Sequence, residues 1–215
     1  IALQRSQVTL ATVAVTATSE QADIDPKSPD MSIARLDVTT LRQIPAALGE
    51  VDPIRSLTLL PGVSSSSDFT TAINVRGGGA DQNLILLDNA VVYNASHLFG
   101  FFSVFNADAV KNIELIKGGI PANYGGRTSS VLDITMKDGN DKEFHGQGGI
   151  GLISSRLTLE GPIVKNKSSF IVSGRRTYID VLAKPFMNPE GEFAGSGYYF
   201  YDLNAKANYR LSDKD

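Results

Sequence analysis

The chain has 215 residues, with 20 Lys and Arg against 23 Asp and Glu, and neither cysteine nor tryptophan. The near-balanced charge gives no electrostatic case for a nucleic-acid partner, and the missing thiols exclude a disulfide frame and thiolate metal sites. No run of about 18 apolar residues is present, so no helix is predicted to span a membrane; strands, whose signal per segment is far weaker, stay open.

Residues 1–34 are polar and low in aromatics. Within them 8–18, VTLATVAVTAT, is short and rich in β-branched residues, which suits an extended strand. Residues 20–32 carry Pro26 and Pro29 and read as a linker. Ile1 opens in mid-pattern, with neither the charged start nor the apolar core of a signal peptide. From 33 to 140 the element types alternate, and an α+β domain is expected. A strand at 33–38 comes first, then a helical turn toward Leu41 and Ile44, capped by Asp37 or Thr39 and closed by Pro45. Asp52 is placed to cap a helix with Pro53 at its first position, Leu57, Leu59 and Leu60 as its apolar side, and Pro61-Gly62 as its stop. A strand at 74–76 runs into three glycines. Residues 84–87 and 90–93 flank Asp88-Asn89, a two-residue hairpin turn. Asn106 is expected to cap a short helix through Val110. Strands follow at 113–116 and 130–136, and 137–141 is a turn.

Beyond Glu143 the pattern becomes glycine-rich with strict alternation. Phe144, Gly146, Gly148, Ile150 and Leu152 oppose His145, Gln147, Gly149 and Gly151; Leu157, Leu159, Gly161 and Ile163 oppose Arg156, Thr158 and Glu160. Phe170 and Val172 oppose Ser169, Ser173 and Arg175, with Ile171 out of place on the polar face. In 198–211 the alternate residues Tyr199, Tyr201, Leu203, Ala205, Ala207, Tyr209 and Leu211 are apolar with tyrosines near both ends, and their neighbours are polar through the middle. An apolar face with aromatic ends backed by a wet face describes a transmembrane β-barrel strand. A soluble sheet edge can alternate in the same way. Short connections at 153–155 and 164–167 and a long one at 180–197 place the long loop outside and bring the chain into the barrel from the periplasm. A lipid-exposed sheet edge is not tolerated, so the chain is expected to be a piece of a longer protein.

An α+β domain directly before a first barrel strand resembles the plug of TonB-dependent outer-membrane transporters. LTLLPGV at 57–63, INVRGGG at 73–79, NLILLDNAVVYN at 83–94, NADAVKNIELIKGGIPANYGGR at 106–127 and SSVLDITMKDG at 129–139 follow the plug pattern in order, and the resemblance covers about 8–215. SHLFGFF at 96–102 resembles the branch whose precursors carry a carboxypeptidase-like regulatory domain upstream. The resemblance implies three segments: 1–32, TonB-box segment and linker; 33–140, plug; 141–215, the first four strands of a barrel of about 22. It implies active import of a nutrient across the outer membrane, with the plug gating the barrel, no enzymatic chemistry and no cofactor. A surface receptor or signal transducer of the same architecture is the alternative. The implied partners are TonB, outer-membrane lipid, an imported cargo and, as a candidate, a surface lipoprotein.

The resemblance also suggests residue roles. Thr12, Val13, Ala14, Val15, Thr16, Ala17 and Thr18 resemble the TonB box, which pairs by strand addition. Arg76 and Arg127 resemble the plug arginines that pair with barrel carboxylates, here expected from later strands. Asn94, His97, Phe99 and Phe101 sit in a segment that either packs on the barrel wall or touches cargo at the plug's apex. Other chemistries lack their motifs. Gly77-Gly78-Gly79 is followed by neither the Lys nor the Ser/Thr of a phosphate loop. Ser96, His97 and Asp88 have triad residue types without a nucleophile elbow. No metal-ligand or calcium-loop spacing occurs. A soluble α/β enzyme with an appended sandwich is the remaining rival, and detergent dependence discriminates it.

Overall fold

A computed structural model describes residues 32–37, 50–67, 70–97, 100–183, 185 and 197–211. The TonB-box segment, the linker and the helical turn expected at 39–45 lie outside the described residues.

Five strands make the central sheet of the first domain, in the order β1 (Ile33–Asp37), β8 (Val110–Ile116), β9 (Ser130–Met136), β4 (Asn83–Leu87) and β5 (Ala90–Val91). β9 and β4 run parallel; the other neighbours are antiparallel. Both faces of this sheet are covered, which is why Leu84–Leu87 and Val131–Ile134 read as near-continuous apolar runs. One face buries Ile113, Leu115, Leu132 and Ile134 with Leu36, Ile54, Leu57, Val75 and Phe105. The other buries Leu84, Leu86, Ile116 and Val131 beneath Ile33, Ile120 and Tyr124.

The helix expected after Asp52 is a single turn, α1 (Pro53–Ser56), continued as a 3-10 turn over Leu57–Leu59. Asp52 Oδ1 accepts from the Ile54 and Arg55 amides at 2.9 and 3.1 Å, as a cap should. Leu57 is fully buried, but Leu59 is exposed, because the tighter 3-10 winding turns it off the apolar side. β2 (Val63–Ser65) pairs with β3 (Ile73–Val75). Arg76 is not in that strand: it takes φ +48°, its amide donates to Gly62 O at 2.9 Å, and Gly77 follows at φ +82°. Asp88 and Asn89, at φ +46° and +68°, form the expected hairpin turn between β4 and β5. Asn106 does not cap a helix. Its Oδ1 accepts from the Asp108 amide at 3.0 Å in a side-chain-closed turn, and Val110 then enters β8 against Met136. β6 (Ser96–His97) and β7 (Phe102–Ser103) make a small hairpin at the domain's end.

The second half is one antiparallel sheet in sequence order: β10 (His145–Ile150), β11 (Ser154–Val164), β12 (Ser168–Thr177) and β13 (Tyr201–Tyr209). A short helix, α2 (Ile179–Ala183), opens the long connection before β13. Register sorts the side chains into rows. Gly148, Leu157, Gly174 and Leu203 share one outward row; Arg156, Arg175 and Asp202 share the next inward row, and Thr158, Ser173 and Asn204 the one after. Outward apolar residues are open, with Ile150 91% and Leu203 73% exposed, whereas Ser173, Arg175 and Thr177 are buried. Ile171, the apolar residue out of place on the polar face, is fully buried where the chain leaving β9 crosses β12. At that crossing Gly139 has φ +82°, and a Cβ on it would lie 2.3 Å from Phe170 O.

Candidate functional site

The inward rows of β11, β12 and β13 do not face open space; the first domain fills them. Three groups of polar contacts tie the two together.

The first centres on Arg175, in the middle of β12 and inward by register. Its Nη1 donates to Glu50 Oε1 at 3.1 Å, and its Nε and Nη2 both reach Asp202 Oδ2, at 3.0 and 2.5 Å. Nη2 also donates to Ser103 O. The side chains of Arg175, Glu50 and Asp202 are 1, 4 and 10% exposed, so the guanidinium is a desolvated hub whose Nε, Nη1 and Nη2 all donate. Glu50 is held from its other oxygen by the Ser154 hydroxyl. Asp202 holds His97 Nε2 at 2.5 Å. Phe200 lies beneath both side chains: its ring stacks on His97 at 4.2 Å and lies 5.5 Å from the Arg175 guanidinium. Asp52 completes the clamp. While one of its oxygens caps α1, the other accepts from the Ser103 amide at 2.6 Å. Arg55 donates to Phe101 O at 3.1 Å.

The second group spans the Arg175 row, through Arg156, and the row below it, through Thr158 and Ser173. Asn106 Nδ2 donates to Ser173 Oγ at 2.6 Å, Ser173 Oγ is 2.7 Å from Thr158 Oγ1, and Arg156 pairs with Asp108 at 2.7 Å. The third anchors the crossover. Lys206 Nζ reaches Asp138 at 3.0 Å, Asp88 at 3.2 Å and Met136 O at 3.2 Å, and Ser169 Oγ donates to Asp138 O at 2.6 Å. Burial pushes the Asp138 carboxyl upward, but hydrogen bonds from Lys206 and Lys111 outweigh it and leave it below the usual carboxylate range.

Two of the four predicted apical residues line one pocket. Asn94 and His97 share a cavity of about 500 Å³ with Thr70, Ala72, Gly100 and Tyr198. Phe101 instead packs edge-on against Phe102 at 4.7 Å, with Arg55 5.2 Å over its ring. Phe102 in turn meets Phe200, the residue just ahead of β13, at 5.7 Å, which is packing against the wall. Phe99 lies outside the described residues. Arg76 and Arg127 are both exposed, and among the described residues no ion pair is formed by either. The ion pair visible at this seat has the opposite polarity: the strands supply the arginine, Arg175, and the domain supplies the carboxylate, Glu50. Sequence reading placed Arg175 on the inward face but did not give it a partner. The signal was there, since an arginine between Ser173 and Thr177 on the inward face needs a carboxylate in reach. Among the described residues no cluster of three metal-ligating side chains occurs.

Residues 30–131 match the family described as TonB-dependent Receptor Plug Domain. No match was found among curated proteins. Among solved structures, the siderophore receptor PirA from Acinetobacter baumannii aligns with TM-score 0.58 and 20% identity, covering 86% of this chain and 30% of that one. PirA from Pseudomonas aeruginosa aligns with TM-score 0.56 and 20% identity over 85% of this chain and 33% of that one. The outer membrane transporter YddB from Escherichia coli aligns with TM-score 0.56 and 14% identity over 85% and 31%. The chain therefore spans about a third of the length of the receptors whose fold it shares. Residues 30–131 are a plug domain of the TonB-dependent receptor family, and the four strands after it have the fold that opens the barrel of an outer-membrane receptor.

Proposed function

We propose that the full protein imports a nutrient across the outer membrane, with cargo held at the plug's apex and the N-terminal segment captured by TonB. The observation that carries this reading is the two-sided character of β10–β13: apolar and open outward, polar and bonded to the plug inward. A soluble sandwich would bury the apolar face instead. Cargo is assigned to the cavity over Asn94 and His97, because it lies where plug and strands meet at the end bearing the long connection. A cargo bound there touches a residue, His97, already bonded to Asp202 and so to the Arg175 hub. Residues 12–18 are assigned as the TonB box, and Arg76 and Arg127 as seats for carboxylates of later strands. No covalent chemistry enters this reading.

Two measurements test it. The full-length protein should fractionate with the outer membrane and migrate on gels in a heat-modifiable way; recovery in the soluble fraction would sink the proposal. Purified TonB C-terminal domain should bind the full-length receptor. Deleting Thr12–Thr18, or replacing Val15 with Pro, should remove that binding, since strand addition depends on main-chain donors. Unchanged binding in both variants would refute the box assignment.

A further inference from the structure

We propose that the apical cavity over Asn94 and His97 selects an uncharged, polyhydroxylated cargo of saccharide type, His97 reading a hydroxyl group and Tyr198 covering an apolar ring face. This deepens the import reading above and rests on it.

Among the described residues, no Lys, Arg, Asp or Glu lines this cavity of about 500 Å³. A second cavity of about 170 Å³ shares Ala72, Asn94 and Ser96 with it, reaches Tyr93, and is equally without charged lining residues. The charges behind His97 are already committed: Asp202 to His97 and Arg175, and Arg175 to Asp202, Glu50 and Ser103 O. An anionic chelate would shed its water here and meet no guanidinium or ammonium, and a bare cation would meet no carboxylate. An uncharged polar molecule carries no such penalty. The floor of the cavity is fixed. Thr70 Oγ1 accepts from the Ala72 amide at 3.1 Å, the Thr71 amide donates to Gly100 O at 2.5 Å, and Asn94 Oδ1 accepts from the Ser96 amide at 3.4 Å. Gly100, at φ +100°, admits this closeness, since a Cβ on it would stand 2.5 Å from Thr70 Oγ1. The Thr70 hydroxyl and the Asn94 amide nitrogen keep their donors for a ligand.

His97 sharpens the preference. Its Nε2 faces Asp202 Oδ1 at 2.5 Å, and a carboxylate oxygen paired with Arg175 only accepts, so the ring proton is assigned to Nε2. Among the described residues Nδ1 has no partner. In the neutral ring Nδ1 accepts and in the imidazolium it donates. A hydroxyl group satisfies either state, whereas a carboxylate or a metal ion satisfies one. The remaining wall is aromatic: Tyr198 lines the first cavity and Tyr93 the second, both exposed. A flat ring with a polar tip covers the C–H face of a sugar ring while hydroxyl and amide groups take its edge.

The test titrates the full-length receptor, held in a polyoxyethylene detergent that carries no sugar, by calorimetry. Maltohexaose, xylohexaose and laminarihexaose are the neutral probes. Hexagalacturonate and ferric enterobactin are the anionic ones, and a Ser-Gly hexapeptide with blocked ends is the uncharged peptide. At least one neutral saccharide should bind about a hundredfold more tightly than either anion or the peptide, the cost of burying an unpaired charge setting the scale for the anions. His97→Phe keeps a ring against Phe200 but offers no nitrogen, and should weaken that saccharide about tenfold, the worth of one hydrogen bond. Tyr198→Ala should weaken it by a similar factor through the lost ring face. Failure of all three saccharides to bind, an anion or the peptide binding as tightly as the best of them, or unchanged saccharide affinity in both variants would each overturn the proposal. A receptor that inserts in the outer membrane and binds TonB yet fails these arms loses this inference alone; a soluble receptor loses the function reading itself.

Discussion

Replacing Arg175 with Met in the full-length receptor strands two buried carboxylates. Removing one partner of a buried ion pair costs about 3 to 5 kcal/mol, because the remaining charge has lost its counter-ion and its water. That sum divides unequally here. Asp202 lies on β13, beside Arg175 on β12, so their pair exists whether or not the plug is docked. Of the contacts Arg175 makes, only that to Glu50 at 3.1 Å and the bond to Ser103 O reach the plug. The quantity that reports the seat is thus the coupling between Glu50→Gln and Arg175→Met in a double-mutant cycle, expected at about 2 kcal/mol or more for a desolvated charge pair. Amide exchange at 52–57 and 102–105 in the folded receptor reads the opening of this clamp. Arg175→Met should speed exchange there by a factor of about a hundred or more while the ladders of β11 and β12 stay protected. Arg175→Lys should restore only part, because one ammonium cannot cover Glu50, Asp202 and Ser103 O from a single point. A coupling below about 0.5 kcal/mol, within the error of additivity, would show that Arg175 belongs to the barrel wall and does not seat the plug.

Three further outcomes are expected. Gly139→Ala should loosen the crossover by about 1 to 3 kcal/mol, from positive φ and the collision with Phe170 O, read as new proteolysis near 137–141; an intact crossover would remove the argument for close approach. Asp138 is held below its ordinary pKa, so its contribution is complete above about pH 4, the unfolded value, and is lost as pH falls through the folded value. Exchange protection at 136–141 should therefore fall on acidification below pH 4, and Asp138→Asn should flatten that dependence; the same acid profile in the variant would exclude Asp138 as its source. Asp52→Ala should destabilise the plug by about 1 to 2 kcal/mol through the lost cap, and should also free the Ser103 amide to exchange; a stability loss without exchange at Ser103 would confine Asp52 to capping.

The parts legible in the sequence are those fixed by local chemistry. Asp52-Pro53 marked a helix start, Asp88-Asn89 a hairpin, and strict alternation from Glu143 gave four strands and their two faces. Misreadings came where a tertiary partner competed with a local preference. Asn106 has the chemistry of a helix cap, but its amide nitrogen is bonded to Ser173, 67 residues away. Leu59 fitted a helical apolar stripe, and the 3-10 winding turned it outward. The ion pair at the seat joins residues 50 and 175, and no window of sequence contains both. Periodicity tells which way Arg175 points; only the fold tells what it meets.

The strand order decides what a tension applied ahead of Ile33 must break. β1 lies at the edge of the plug sheet, bonded to β8 alone through five residue pairs, from Ile33–Ile116 to Asp37–Asn112. Its detachment leaves the ladders β8–β9, β9–β4 and β4–β5 whole. The far end of the same sheet is fastened differently: the chain leaves β9 through Met136–Gly139, where Lys206 and Ser169 grip it and Gly139 lies against the β12 backbone. A pull from the N-terminal side therefore works against a short ladder at one end and a fixed mooring at the other. The plug gives way like a cloth pinned along one hem: its first edge unravels while the rest keeps its place in the wall.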